Sequence, residues 1–224
     1  MTESHWQPGP ARPRVEPGAV DVWLVALDGA PAGDSLSAQE RERAARFLRD
    51  EDRRRWTVAR AALRALLAAY ADADRRTLRF TDGPHGKPAL ADAAAGLRFN
   101  LSHSAGTALV AVARDREVGV DVELPRRAVD HVALARRVLT AAEADRIAAI
   151  AEPAARERAF LRAWVRWEAA LKCRGTGIGG AETPSSGPLP WIADLDVEPP
   201  AAAAVAVEDG PVAVRTFRWP PAKP

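Results

Sequence analysis

Residues 118–124 read Val-Gly-Val-Asp-Val-Glu-Leu and alternate with the two-residue period of a β-strand. Val118, Val120, Val122 and Leu124 share one face; Gly119, Asp121 and Glu123 share the other. The two carboxylates stand about 6.6 Å apart on such a strand. At an effective dielectric of about 20 they repel by roughly 2.5 kcal/mol. On a wet face that repulsion means little. On a covered face it calls for a hard divalent cation, completed by at least one further oxygen donor.

Outward from this strand the chain alternates strands and helices. TALVAVA (107–113) reads as a strand joined to EVGVDVEL by Arg114, Asp115 and Arg116, a turn of hairpin length. Further upstream lie LRFNLS (97–102), TLRF (77–80) and VDVWLVAL (20–27). Ser37 and Glu40 form a capping box for a helix to about Leu48. A longer helix follows from about Asp52 to Tyr70, with Trp56, Ala59, Leu63, Leu66, Leu67 and Tyr70 on one stripe. Arg54, Arg55, Arg60 and Arg64 lie off that stripe, as on a solvated basic face. Downstream, Val138–Ile150 reads as a helix with its own capping box, Thr140 and Glu143. A second helix runs from about Ala154 to Lys172, ended by Gly175 and Gly177. A Pro/Ser/Gly loop covers 180–190, and strands follow near IADLDVE, AAAVAVE and VAVRTFRW.

This order predicts an α+β protein of two similar halves packed about a pseudo-twofold, with the active site between them. The divisions expected are a flexible Pro-rich tail at 1–19, an N-terminal half at 20–115 and a C-terminal half at 116–224. No clear internal sequence repeat accompanies them.

Composition narrows the functional classes. The net charge of +2 over 224 residues does not argue for nucleic acid or a membrane surface. Its distribution is uneven. Residues 36–88 hold 13 basic and 8 acidic residues, whereas 189–210 hold five acids and no base. An anionic ligand therefore suits the first half. No run of about 18 apolar residues predicts a membrane span, and the N-terminus lacks the apolar core of a secretion signal. The single Cys173 fits a reducing cytoplasm and reads as a core or helix-end residue rather than a nucleophile. Only Lys87, Lys172 and Lys223 are lysine among 32 basic residues, so a retained lysine draws notice for its compact ammonium.

Four groups carry candidate chemistry. Asp121 and Glu123 are the first. In AFLRAWVRWEAALKCRG, Trp164, Glu168 and Lys172 fall at i, i+4 and i+8 on one helix face. That pattern is either an ordinary surface Glu–Lys pair or a third carboxylate with an ammonium free to meet a phosphate. GPHGKP (83–88) presents Lys87 on a tight loop, the geometry of a turn and also of an anion cradle. FNLSHSAG (99–106) ends a strand at Ser102 and His103, where His103 could meet a phosphate or simply finish the strand. No partner stands at triad or zinc-ligand spacing.

In order and spacing, GKP, FNLSHS, VGVDVE and W-x-x-x-E-x-x-x-K resemble the 4′-phosphopantetheinyl transferases, in the larger surfactin-type class with two halves in one chain. The motifs span about residues 83–178. The resemblance implies transfer of the phosphopantetheine arm of coenzyme A (CoA) to a serine of an apo acyl or peptidyl carrier protein, with Mg²⁺ required and 3′,5′-ADP released. It implies Asp121, Glu123 and Glu168 as metal ligands, and Glu168 and Lys172 as catalytic. It implies Arg43, Arg55, Lys87, Pro88, Ser102, His103 and Lys172 as CoA contacts, with either Glu168 or a water on the cation as general base. A cytoplasmic monomer without nucleic-acid or membrane partners is expected. The family often has lysine before the helix glutamate; here it is Trp167. The alternatives are a Mg²⁺-dependent nuclease, which GKP, FNLSHS and the near-neutral charge disfavour, and an inactive CoA-binding homologue.

Overall fold

The structure, a computed structural model, describes residues 6–29, 35–83, 86–91, 96–125, 129–176, 188–198 and 200–220. Gly177 and most of the loop read over 180–190 lie outside them. Two sheets carry an α+β fold. The first has five strands in the order β1 (Gln7–Pro8), β10 (Ala213–Trp219), β2 (Ala19–Ala26), β6 (Thr107–Arg114) and β5 (Leu97–Ser104). The second runs β7 (Val118–Glu123), β9 (Ala202–Val207), β8 (Trp191–Leu195), and β3 (Phe80–Asp82) pairs with β4 (Pro88–Leu90) in a small hairpin. The helices are α1 (Ala38–Ala45), α2 (Asp50–Ala71), α3 (His131–Val138), α4 (Ala141–Ala148) and α5 (Pro153–Arg174).

Each strand's alternation shows which layer it meets. Trp23 and Val25 of β2, with Leu27 just after it, pack against Val58, Leu63, Leu66 and Leu67 of α2. The opposite face of β2, with Leu109 and Ala111 of β6, packs against Val118, Val120, Val122 and Val205 of the second sheet. Beyond that sheet, Val165, Ala169 and Cys173 of α5 cover Ala204 and Ala206. The layers are therefore helix, sheet, sheet, helix, which is why β2 and β7 are apolar on faces that an open sheet would wet. One buried polar network lies under α2. Tyr70 Oη donates to Asp21 Oδ2 at 2.6 Å and accepts from Trp23 Nε1 at 2.9 Å, while Arg215 grips Asp21 through Nε at 2.6 Å.

Several sequence expectations need correction. β6 and β7 are not a hairpin: β6 pairs with β2 and β5, and β7 leaves to pair with β9. The turn is short enough for a hairpin, but both edges of β6 are already taken and β7 has valines for the next layer. The helix read over 138–150 is the shorter α4, Ala141–Ala148, and Val138 instead ends the separate helix α3. Leu139 is extended, and Thr140 caps α4 by accepting the Glu143 N–H. The flexible tail expected over 1–19 is held from residue 6 onward. β1 pairs with β10, Trp6 and Val15 are buried, and the Trp6 indole donates to the Asp196 carbonyl. The strand expected at 77–80 starts only at Phe80.

The basic face of α2 is also only partly solvated. Arg64 is 2 % exposed and donates to Glu40 Oε2 at 2.8 Å and to the carbonyls of Arg75 and Leu78. Glu40 also takes Arg60 and closes the capping box of α1 on Ser37. Burial alone would raise the Glu40 pKa, but Arg64, the Ser37 amide and Arg60 together hold it below the ordinary 4.5. A depressed folded pKa stabilises the fold above the unfolded value and loses that effect as pH falls through the folded one. Glu40→Gln is therefore expected to cost about 2 kcal/mol or more at neutral pH, by leaving the buried Arg64 and the half-buried Arg60 short of a charge. Unfolding in urea between pH 7 and pH 3 checks this: the gap between the two proteins should close only below about 4.5.

The second sheet and α5 come close together at Gly119. A Cβ there would lie 2.1 Å from the Ala169 carbonyl oxygen and 2.3 Å from the Cys173 amide nitrogen. These are backbone atoms of α5 and cannot swing aside. Gly119→Ala should cost about 3 kcal/mol or more, read as a fall in Tm of roughly 6 to 12 °C.

Candidate functional site

The site forms where the two sheets meet at their edges. β5 presents Asn100, Ser102 and Ser104 on one face, all buried in a strand that is otherwise largely apolar. These three reach the open edge of β7. Asn100 Oδ1 accepts the Val120 N–H at 3.0 Å, and Ser104 Oγ accepts the Leu124 N–H at 3.2 Å. Ser102 Oγ donates to Asp121 Oδ1 at 2.7 Å, and Ser104 Oγ donates to Glu123 Oε2 at 2.9 Å. No strand pairs with this edge of β7 among the described residues, and β5 side chains supply the partners that an edge requires.

Helix α5 closes the site from the other side. Glu152 caps it, Pro153 opens it, and Gly175 at φ +68° ends it in the left-handed conformation that glycine adopts freely. From its last turns Glu168 and Lys172 project onto β7. Lys172 Nζ meets Asp121 Oδ1 at 2.5 Å and Ser102 Oγ at 3.0 Å. The Glu–Lys helix pair is thus not a surface pair, because the ammonium turns to Asp121. Glu168 is buried, and its pKa is raised above 4.5 by that burial and by the charges of Asp121 and Glu123, against the pull of Lys172. Sequence spacing did not show this proximity; the structure brings all three carboxylates into one electrostatic neighbourhood.

The donor set fits a hard divalent cation. All three candidate ligands are carboxylates, and Asp121 Oδ2 is buried without a hydrogen-bond partner. Three carboxylates and one ammonium, if ionised, leave two negative charges to balance. Among the described residues, however, no three His, Cys, Asp or Glu side chains form a group that could hold a metal ion as they stand.

The remaining candidates spread around this centre. Ser102 and His103 point to opposite faces of β5. The imidazole keeps contact with solvent, yet the protein crowded around it and the Lys172 charge hold its pKa below 6.5, against Glu123 and Asp52. It is a neutral ring at pH 7. Arg55 bonds Asp28 through two nitrogens at 2.9 Å each, and Arg43 lies over the Trp56 ring. Lys87 is turned to Glu117 and two carbonyls, and Pro88 begins β4 beside it. Cys173 is buried with its thiol pushed up to about 11 by that burial, so it is no nucleophile at neutral pH. The sequence reading missed Asn100, Ser104 and Glu117. The alternation Asn100, Ser102, Ser104 was the available signal, a polar face on an apolar strand like that of β7.

Two family models match in tandem. Residues 28–115 match the 4′-phosphopantetheinyl transferase N-terminal model, and residues 117–210 match the 4′-phosphopantetheinyl transferase superfamily model. The chain is 34 % identical over 189 residues to the 4′-phosphopantetheinyl transferase HetI of Nostoc sp., covering 81 % of this chain and 79 % of that one. It is 35 % identical to a putative 4′-phosphopantetheinyl transferase of Synechocystis sp., over 71 % of this chain and 66 % of that one. It is 40 % identical to the 4′-phosphopantetheinyl transferase AcpT of Salmonella typhimurium over 42 % of this chain and 47 % of the relative. The chain belongs to the 4′-phosphopantetheinyl transferase superfamily. Its activity is that of a phosphopantetheinyl transferase, and the nuclease alternative falls. No helix among the described residues is long and apolar enough to cross a membrane.

Trp167 stands where the family often carries lysine, and its ring packs on Trp164 at 5.2 Å between centroids. It makes no hydrogen bond to Asp121, Lys172 or Ser102. Trp167→Lys is expected to retain transfer activity and to lose about 1 kcal/mol of ring packing, measured by thermal unfolding beside a transfer assay.

Proposed function

We propose that this chain moves the 4′-phosphopantetheine arm of CoA onto a serine of an apo acyl or peptidyl carrier protein and releases 3′,5′-ADP. The observation that supports it best is the Lys172–Asp121–Ser102 cluster with Glu168 beside it, set where the two family-matched segments meet. The serine oxygen attacks the phosphorus that carries the pantetheine arm. The bond from that phosphorus to the bridging oxygen breaks, and 3′,5′-ADP departs with the electron pair. The serine proton passes to Glu168, the carboxylate that α5 places beside Asp121 and Lys172. Lys172 stabilises charge on the phosphates. Asp121, Glu123 and Glu168 would hold Mg²⁺, which offsets charge on the leaving diphosphate when bound.

CoA would lie along the first segment. His103 would meet it from the exposed face at the end of β5, Ser102 from the opposite face beside Lys172, and Arg43 of α1 and Arg55 of α2 would add phosphate contacts. We read the chain as the surfactin-type class, in which residues 20–115 form a CoA-binding half and residues 116–224 a metal-binding half about a pseudo-twofold, with the site between them. The tandem matches support that division, with β10 (Ala213–Trp219) crossing back to complete the first sheet. Two halves in one chain make a monomer sufficient, and the single reduced Cys173 suits the cytoplasm.

The test is an intact-mass assay of apo carrier proteins incubated with the protein, CoA and Mg²⁺. The expected result is a phosphopantetheine adduct on at least one carrier. No adduct on fatty-acid, polyketide or peptidyl carriers would sink the reading and favour an inactive CoA-binding homologue. Asp121→Asn should lower the rate by on the order of a hundredfold or more and weaken CoA binding far less, as calorimetry would read.

A further inference from the structure

Lys87 was expected at a phosphate, but its surroundings suit another role. The loop before it is closed by the Gly83 N–H to the Lys87 carbonyl at 2.8 Å and the Gly86 N–H to the Gly83 carbonyl at 2.9 Å, with Gly86 at φ +78°. The side chain then runs inward. An ammonium has three N–H donors, and Lys87 spends them on three oxygens. They are Glu117 Oε2 at 2.5 Å, the Val118 carbonyl at 3.0 Å and the Cys173 carbonyl at 3.0 Å. No donor is left for a ligand. The Lys87 side chain is 16 % exposed and passes Gly175, where a Cβ would sit 3.5 Å from its Cδ.

The acceptors come from two parts of the site, the start of β7 and the end of α5. Val118 begins the strand that carries Asp121 and Glu123. Cys173 lies in the last turn of α5, where carbonyls lack helical partners and the dipole favours a cation. Glu117 is held by Arg98 Nε at 2.9 Å, and its carbonyl accepts the Cys173 thiol at 3.3 Å. Lys172 is the residue before Cys173. A shift of this turn therefore moves the Lys172 ammonium relative to Asp121 and Ser102.

We infer that Lys87 and Glu117 are positioning residues, a clamp that ties the β3–β4 hairpin to the start of β7 and the end of α5 and thereby sets Lys172 for transfer. The clamp rests on the functional reading above, which an inactive wild type would overturn together with it. Given an active wild type, the experiment compares Lys87→Met, Lys87→Arg, Glu117→Gln, Lys172→Ala and Lys87→Met/Lys172→Ala for kcat, KM, CoA affinity by calorimetry and Tm.

For a clamp, Lys87→Met should lower kcat by about ten- to a hundredfold, the scale of a misplaced catalytic group, with KM and Kd for CoA within about threefold of wild type. Lys87→Arg should lose kcat similarly, because a longer, planar fork of donors cannot take the place of one compact ammonium at the point where the three oxygens converge. Glu117→Gln should lose less, since an amide oxygen still accepts. Adding Lys87→Met to Lys172→Ala should cost less than about twofold more, because the clamp acts through Lys172. Three results would overturn the proposal. One is a tenfold or larger rise in Kd for CoA with kcat kept, which would make Lys87 a phosphate contact. The others are wild-type kinetics in Lys87→Arg, and losses that multiply fully in the double variant. If Lys87→Met does not fold, Lys87→Arg and Glu117→Gln decide by the same readouts.

Discussion

Everything at the site depends on how the open edge of β7 is satisfied. A strand that leaves its neighbour's sheet exposes N–H groups that must find acceptors once buried. Here they find the side chains of Asn100 and Ser104 rather than another backbone. That choice keeps the two sheets distinct while joining them. A backbone ladder would have merged them and left no reason for the polar face of β5. Because the joint is made by side chains, Ser102 can serve both the joint and the chemistry. It bonds Asp121 and Lys172 together.

The same junction explains the glycine in VGVDVEL. With β7 fixed against β5 on its edge and against β2 and β6 through its valines, its remaining face must accept α5. Any side chain at 119 would hold the helix away. Lys172 could not then reach Asp121 at 2.5 Å. The glycine is thus linked to function through distance alone, by setting how near two backbones lie.

Much of the fold was legible in local patterns, and what was not legible was long-range. The capping residues Ser37, Thr140 and Gly175, the stripe on α2 and the alternation in β7 each act within a few residues, so sequence displays them. The pairing of β7 with β9 rather than β6 depends on residues about 85 positions downstream, which a turn-length argument cannot see. Arg64 looked solvated because its partner Glu40 lies on another helix and the carbonyls of Arg75 and Leu78 come from a loop. At the site, residue types and spacing pointed to Asp121, Glu123, Glu168 and Lys172. The saturation of Lys87 could not be read, since two of its three acceptors are backbone carbonyls, and these carry no side-chain signature.

The electrostatics of the centre follow from its burial. Three carboxylates near one ammonium would be ordinary on a surface, where water screens them. Asp121 is 2 % exposed and Glu168 8 %. Charge there cannot be left to solvent, so each group answers for the others. Lys172 takes one oxygen of Asp121, while burial, and after it the charges of Asp121 and Glu123, raise the pKa of Glu168 against the pull of Lys172. One local ammonium is not enough to settle three acids. A centre built this way favours a ligand that brings concentrated positive charge and an anion that follows it, and Lys172, exposed over 28 % of its side chain, is the group positioned to meet both. Among the charges gathered here it alone is positive, so its placement by the last turn of α5 decides where a phosphate can come to rest.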